Sequence, residues 1–320
     1  MADWDVKQIF RAEDKIHLLA VREEEGVTRL REWERGEEGF ADVTQGWLAS
    51  MELECGGWLE AQLMQDGSGA QYLFAGYVEN EAFKGHLWRS DGETAAEITP
   101  EQWSVPNDWG GYEMITGMAA LDNGNLIAVS YTAVTLLAGE SGAVVESEPM
   151  SNFYEGNIAT DGENVYFAYS DENGVQIEKR ENGRGSDAEL ISFSGNPSHE
   201  AGTFVFDQGT SGAVSIGARK DGTLIAASES GIFLRAGGTE NAEWEMLLEG
   251  VETDFALADY GCMGLIPLED GSIYALMSGE EGVKLNRYEY DPDAVTEVRE
   301  VLKLYTVQES SLLRQAAVLY

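Results

Sequence analysis

Apart from carboxylates, few residues in this chain can do acid–base, nucleophilic or metal chemistry. The three histidines, His17, His86 and His199, are scattered. His17 and His86 fall at alternating positions of apolar runs, the pattern of half-buried strand residues, and three isolated imidazoles do not supply a zinc site. Cys55 and Cys262 are the two thiols. They fall in non-neighbouring repeats and are expected as unbridged, buried small hydrophobes. Gly-x-Ser-x-Gly, Gly-x-x-x-x-Gly-Lys, His-Glu-x-x-His and Cys-x-x-Cys are all missing. Gly183-Arg184-Gly185-Ser186-Asp187-Ala188 imitates a dinucleotide fingerprint but lies between two strand patterns instead of opening a helix. Asp171-Glu172-Asn173-Gly174 and Asp291-Pro292-Asp293 offer oxygens of the kind calcium takes, yet neither follows the twelve-residue loop, and turn chemistry accounts for both. No catalytic residue, metal ligand or cofactor is therefore expected. A glycan hydrolase or lyase stays open as an alternative; it needs two carboxylates about 5–10 Å apart, and none of the acids is singled out as such a pair.

Charge narrows the partners. Twenty Lys+Arg stand against 58 Asp+Glu, a net charge of −38. Phosphate backbones need clustered cations, so nucleic acid is excluded, as is an anionic membrane surface. Such a rim disfavours anionic ligands and suits neutral or cationic ones. No apolar run reaches 18 residues, the length of a membrane-spanning helix. Met1-Ala2-Asp3-Trp4-Asp5 lacks the basic start and apolar core of a signal peptide, which reads as a cytoplasmic chain or one whose signal has been removed.

The elements that must position any site are announced by an internal repeat. Asp-Gly or Asn-Gly precedes a short apolar run containing alanine at Asp66-Gly67, Asn123-Gly124, Asp161-Gly162, Asp221-Gly222 and Asp270-Gly271, with a Gly-less first copy at Asp14. The alanines are Ala20, Ala75, Ala128, Ala168, Ala226 and Ala275, spaced 55, 53, 40, 58 and 49 residues apart. Asp-Gly and Asn-Gly favour tight hairpins, and alternating apolar runs between them are strands with a buried face. Each unit then reads as a four-stranded antiparallel meander, and sheets that cannot cover both faces alone pack in a ring, as in an all-β, six-bladed β-propeller. The blades fall near 4–44, 45–100, 110–150, 151–195, 210–250 and 258–300. The repeated alanine belongs to the second strand, beside the crowded centre. Seven blades and a β-sandwich are the alternatives.

In a propeller the links between blades share a face with the turns between second and third strands, a common place for ligands. The link 99–114 is rich in Pro, Gly and aromatics. Trp103, Trp109 and Tyr112 could stack on a sugar ring or anchor a partner there. Asn152, Phe153, Tyr154 and Glu155 enter the fourth blade from the same side, and Asp254, Asp259 and Tyr260 the sixth. The candidate ligand residues are thus Trp103, Trp109, Tyr112, Tyr154, Asp259 and Tyr260. The competing reading makes the aromatics plugs between blades.

The end of the chain changes character. Val301-Leu302-Lys303-Leu304-Tyr305-Thr306-Val307 is near-continuously apolar, Ser310 or Ser311 can cap a helix, and Leu312, Leu313, Ala316, Ala317 and Tyr320 recur at helical spacing. Residues 1–300 then form the propeller, and 301–320 begin an α/β domain or form a docking C-terminal segment. An acidic propeller followed by this strand and Ser-Ser-Leu-Leu-Arg-Gln-Ala resembles surface lipoproteins of gut Gram-positive bacteria, in which a propeller precedes the extracellular solute-binding domain of an ABC importer. The resemblance implies an extracellular, cell-surface setting, a lipid anchor outside the sequence, and a non-catalytic propeller that binds a small molecule, saccharide or peptide, or a surface protein. A protein scaffold without a small ligand is the alternative.

Overall fold

The computed structural model describes residues 3–289, apart from 13–14, 56–58, 80–81, 106–111, 131, 150–156, 172–173, 194–213, 229–230, 239–241, 250–254, 256–260 and 280–281. The first sheet is β1 (Asp5–Ala12), β2 (Lys15–Glu24), β3 (Val27–Gly36) and β4 (Gly39–Asp42). The second is β5 (Leu59–Gln65), β6 (Gln71–Glu79), β7 (Ala82–Ser90) and β8 (Ala95–Glu97). The third is β9 (Ile115–Ala120), β10 (Asn125–Ser130), β11 (Ala133–Ala138) and β12 (Val144–Pro149). The fourth is β13 (Asn157–Thr160), β14 (Asn164–Asp171), β15 (Gly174–Glu181) and β16 (Ala188–Ser192). The fifth is β17 (Ser215–Ala218), β18 (Leu224–Ser228), β19 (Gly231–Arg235) and β20 (Trp244–Glu249). The sixth has three strands among the described residues, β21 (Gly261–Pro267), β22 (Ile273–Gly279) and β23 (Gly282–Tyr288).

Strands follow chain order within every sheet, and each pairs antiparallel with the next. The first strands are neighbours around a ring: β1 packs beside β5, β5 beside β9, β9 beside β13, β13 beside β17, β17 beside β21, and β21 returns to β1. First strands therefore surround a common axis, and fourth strands form the rim. The chain is a six-bladed β-propeller.

The repeated turn has one physical basis in all five copies. The side-chain oxygen of Asp66, Asn123, Asp161, Asp221 or Asp270 accepts the amide of the residue two places on, at 2.8–2.9 Å. This Asx turn is why Asp or Asn recurs there. Gly124, Gly162, Gly222 and Gly271 have positive φ, and in the first Asp-Gly copy that conformation falls to Gly69 instead. Each repeated alanine lies in the second strand of its blade and is buried.

Adjacent residues of a strand face opposite seams, so one run builds two interfaces. Leu126 joins Phe74, Leu87 and Met118 between blades 2 and 3, while Ile127 joins Leu136, Val165 and Phe167 between blades 3 and 4. Ile9, Ile16, Leu18, Tyr274 and Leu276 close the ring between blades 6 and 1. One boundary differs from the sequence reading. Blade 2 begins at Leu59, not near 45, because Gly46–Ala49 form a short helix, α1, and Leu53 exchanges two backbone hydrogen bonds with Thr28 of blade 1. The apolar side chains of Trp47, Leu48 and Leu53 draw that stretch into the seam between blades 1 and 2.

Two buried tyrosines brace the Asx turns: the Tyr72 hydroxyl donates to Asp66 Oδ2 at 2.9 Å, and Tyr166 to Asp161 Oδ2 at 2.8 Å. Burial pushes the Tyr72 phenol up to about 12, helped by the Asp66 hydrogen bond. Burial does the same for Tyr77, to about 12, and raises Tyr166 further, with the Asp161 charge adding to it. The unfolded chain titrates its phenols near 10. Stability from these groups is thus intact below pH 10 and is lost as pH rises from there toward the folded values. Urea midpoints measured from pH 8 to 11.5 are expected to hold up to about pH 10 and then fall, with Tyr72→Phe and Tyr166→Phe showing a shallower decline.

Candidate functional site

The six first strands enclose a central channel with a volume of about 990 Å³. Each first strand pairs with its second strand on one edge only, and the other edge faces the axis. Much of the wall is therefore main chain. Two devices set how closely the strands approach. On blades 1 and 2 a glutamine bridges the gap: Gln8 Oε1 accepts the Leu63 amide and Gln62 Oε1 the Met118 amide, each at 2.7 Å. On blades 5 and 6 glycine removes the gap. A Cβ on Gly217 would lie 2.4 Å from the Leu265 carbonyl oxygen, and one on Gly264 would lie 2.6 Å from Ile9.

The channel has chemically distinct ends. Where the first strands begin it is lined by Lys7, Glu60, Met114, Thr116 and Met263. Where they run into the Asx turns it is lined by Arg11, Asp66, Asp122, Asp161 and Lys220. Lys7 pairs with Asp5 at 2.7 Å, and the Arg11 guanidinium lies 3.8 Å from Glu269. Burial raises the Glu60 carboxyl above its ordinary value, partly offset by the Lys7 charge. The Cys262 thiol, also on the wall, is pushed up to about 11 by burial, so it stays protonated near neutral pH. Cys55 and Cys262 are both free thiols.

The link between blades does not present the face expected of it. Trp103 is 2% exposed. It sits in a single 3₁₀ turn, Glu101–Ser104, with its ring edge-on to Phe74 at 6.0 Å. Its ring packs into the seam between blades 2 and 3, where apolar burial outweighs solvent exposure, and no flat face remains for a sugar. Tyr112 is half-buried, with Lys84 Nζ 5.7 Å from its ring centre. Trp109, Tyr154, Asp259 and Tyr260 lie outside the described residues, as do Asn152, Phe153, Glu155, Asp254, His199 and the 301–320 segment. His17 is more deeply buried than a half-exposed strand residue, and His86 is stacked between Tyr77 and Trp88 at 5.1 and 5.6 Å. The Gly183–Ala188 stretch is the link between β15 and β16, as its position between strand patterns implied.

No protein-family model and no curated protein sequence matches the chain. Solved structures do. The β-propeller domain of the trilobed protease from Pyrococcus furiosus, described as having an open velcro topology, aligns over 90% of this chain and 94% of its own, with a TM-score of 0.46 and 9% identity. An acylaminoacyl peptidase bound to a peptidyl chloromethyl ketone aligns over 90% of this chain and 45% of its own, at 0.47 and 9%. The extracellular domain of a putative hybrid two-component system from B. thetaiotaomicron aligns over 90% and 39%, at 0.48 and 10%. The chain thus spans less than half the length of the last two. The likeness is one of fold alone.

Proposed function

We propose that this chain is a non-catalytic ligand-binding propeller, with the central channel as its binding site, serving solute uptake at a cell surface. The observation that supports this most is the channel itself: about 990 Å³ walled by main-chain edges, amides and charged side chains of both signs. That lining suits a slim polar solute, of which saccharides and peptides are the leading classes, because hydrogen-bonding groups without covalent reactivity define a binding site. Strong negative charge favours neutral or cationic ligands over anions. A thermal-shift screen of saccharides, short peptides and amines tests the reading. A ligand at 100 times its Kd stabilises by about 2.7 kcal/mol, a readily measured shift. A hit that is weakened by Glu60→Gln, on the channel wall, supports the site; a screen with no hit removes it.

A scaffold role has its own support. Val145, Leu190 and Met246 are 45–61% exposed on the rim strands β12, β16 and β20 of three consecutive blades. Each of these blades thus offers an exposed apolar side chain on its outer strand to a protein partner. Val145→Asp with Leu190→Asp would then abolish partner capture and leave any channel ligand bound.

A further inference from the structure

Six seams close the ring, and the one between blades 6 and 1 is built unlike the rest. At each of the other five, the backbone runs on directly from one blade into the next. Blades 6 and 1 have no such link; they meet because β21 returns to β1.

Hydrogen bonds divide the seams in the same way. Gln8 and Gln62 each accept an amide of the following blade, across the seams between blades 1 and 2 and between 2 and 3. Between blades 3 and 4 the Asp122 amide donates to the Gly162 carbonyl at 2.7 Å. Trp244 Nε1 donates to the Ser192 carbonyl at 3.1 Å between blades 4 and 5. Ser215 Oγ donates to the Cys262 carbonyl at 3.4 Å between blades 5 and 6. Among the described residues no hydrogen bond joins blade 6 to blade 1. What polar contact that seam has among them is Arg11 with Glu269, at 3.8 Å. The Glu269 carboxylate is largely exposed, and a pair of that kind contributes little. Arg11 Nη1 is buried without a hydrogen-bond partner. An N–H left unpaired costs free energy while the seam is shut, and water relieves that cost once the seam parts.

The apolar part of this seam is also the smallest. Among the described residues five buried apolar side chains fill it, Ile9, Ile16, Leu18, Tyr274 and Leu276, against eight to fourteen in each other seam. Burial holds surfaces together in proportion to the area removed from water. Openings short of global unfolding arise where least is buried.

We infer that the ring opens at this seam: blades 6 and 1 part as intact sheets while the other five seams stay shut, and the channel becomes accessible from the side, between Ile9 and Leu265. This adds a route into the channel and holds whatever solute the channel takes.

Neighbouring residues of a strand face opposite seams, so the opening has a signature. In β22, Leu276 faces blade 1 and Met277 faces blade 5; in β2, Leu18 faces blade 6 and Leu19 faces blade 2. All four are at most 1% exposed. Each is replaced by cysteine, one at a time, in the full chain carrying Cys55→Ala and Cys262→Ala. The rate of thiol alkylation in native buffer is divided by that of the same variant unfolded in urea. Leu276→Cys is expected to react about tenfold faster than Met277→Cys or more, and Leu18→Cys likewise faster than Leu19→Cys. The faster member of each pair should show the shallower dependence on urea, because parting one seam exposes less surface than unfolding does. Equal rates within a pair mean that the blade frays or the molecule unfolds as a whole, and overturn the inference. Faster reaction of Met277→Cys or Leu19→Cys overturns it as well. If one pair does not fold, the other decides.

Discussion

Phe74→Ala is expected to lower the unfolding free energy by about 3–5 kcal/mol, the cost of emptying a large aromatic site in a close-packed core. Phe74 is fully buried in β6 and fills space that two glycines leave open. A Cβ on Gly76 or Gly85 would each come within 3.1 Å of its ring. Its edge contact with Trp103 ties the link between blades to this site. Trp103→Ala should therefore destabilise as well, and the double variant should lose less than the sum, with a coupling of about 0.5–1.5 kcal/mol. Urea denaturation of the three variants measures this. A Trp103→Ala protein as stable as the parent would return that residue to the list of ligand groups.

The second large effect lies in blade 1. His17 and Glu32 are both buried, with His17 Nδ1 2.8 Å from Glu32 Oε1 and Glu34 Oε2 3.8 Å from the other ring nitrogen. The Phe10 ring packs on the imidazole with centres 5.3 Å apart. His17→Ala leaves a buried carboxylate without its partner, which costs about 3–5 kcal/mol. Replacing both members by leucine removes the unpaired charge with the pair and is expected to recover most of that loss. Equal destabilisation by the single and the double replacement would show that packing of the imidazole, rather than the pair, is what matters.

The fold was legible because its signal is local. An Asx turn requires Asp or Asn, the left-handed position beside it favours glycine, and the crowded second strand favours alanine, so three residue types mark five of the six blades. The channel was not legible for the opposite reason. Its wall is strand edge, which leaves no mark in side-chain type, and Glu60 and Asp122 are two carboxylates among 58 acids. Only the glycines of the first strands carried a hint. Gly217 and Gly264 stand in apolar runs where no turn calls for them, and each is where the next strand comes close. Trp103 misled because an aromatic in a Pro- and Gly-rich link reads equally as exposed platform or as plug; its choice depends on a seam between blades built from residues 64 to 137.

Blade 1 takes all four of its strands from residues 5–42, and among the described residues no hydrogen-bonded ladder is shared between distant parts of the chain. Pairing within these described sheets then does not wait for a remote segment to arrive. As the polypeptide leaves the ribosome, each blade can assemble once its own stretch has emerged and can dock on its predecessor. Among the described residues it is the seam of Ile9 and Leu18 against Tyr274 and Leu276 that joins early synthesis to late.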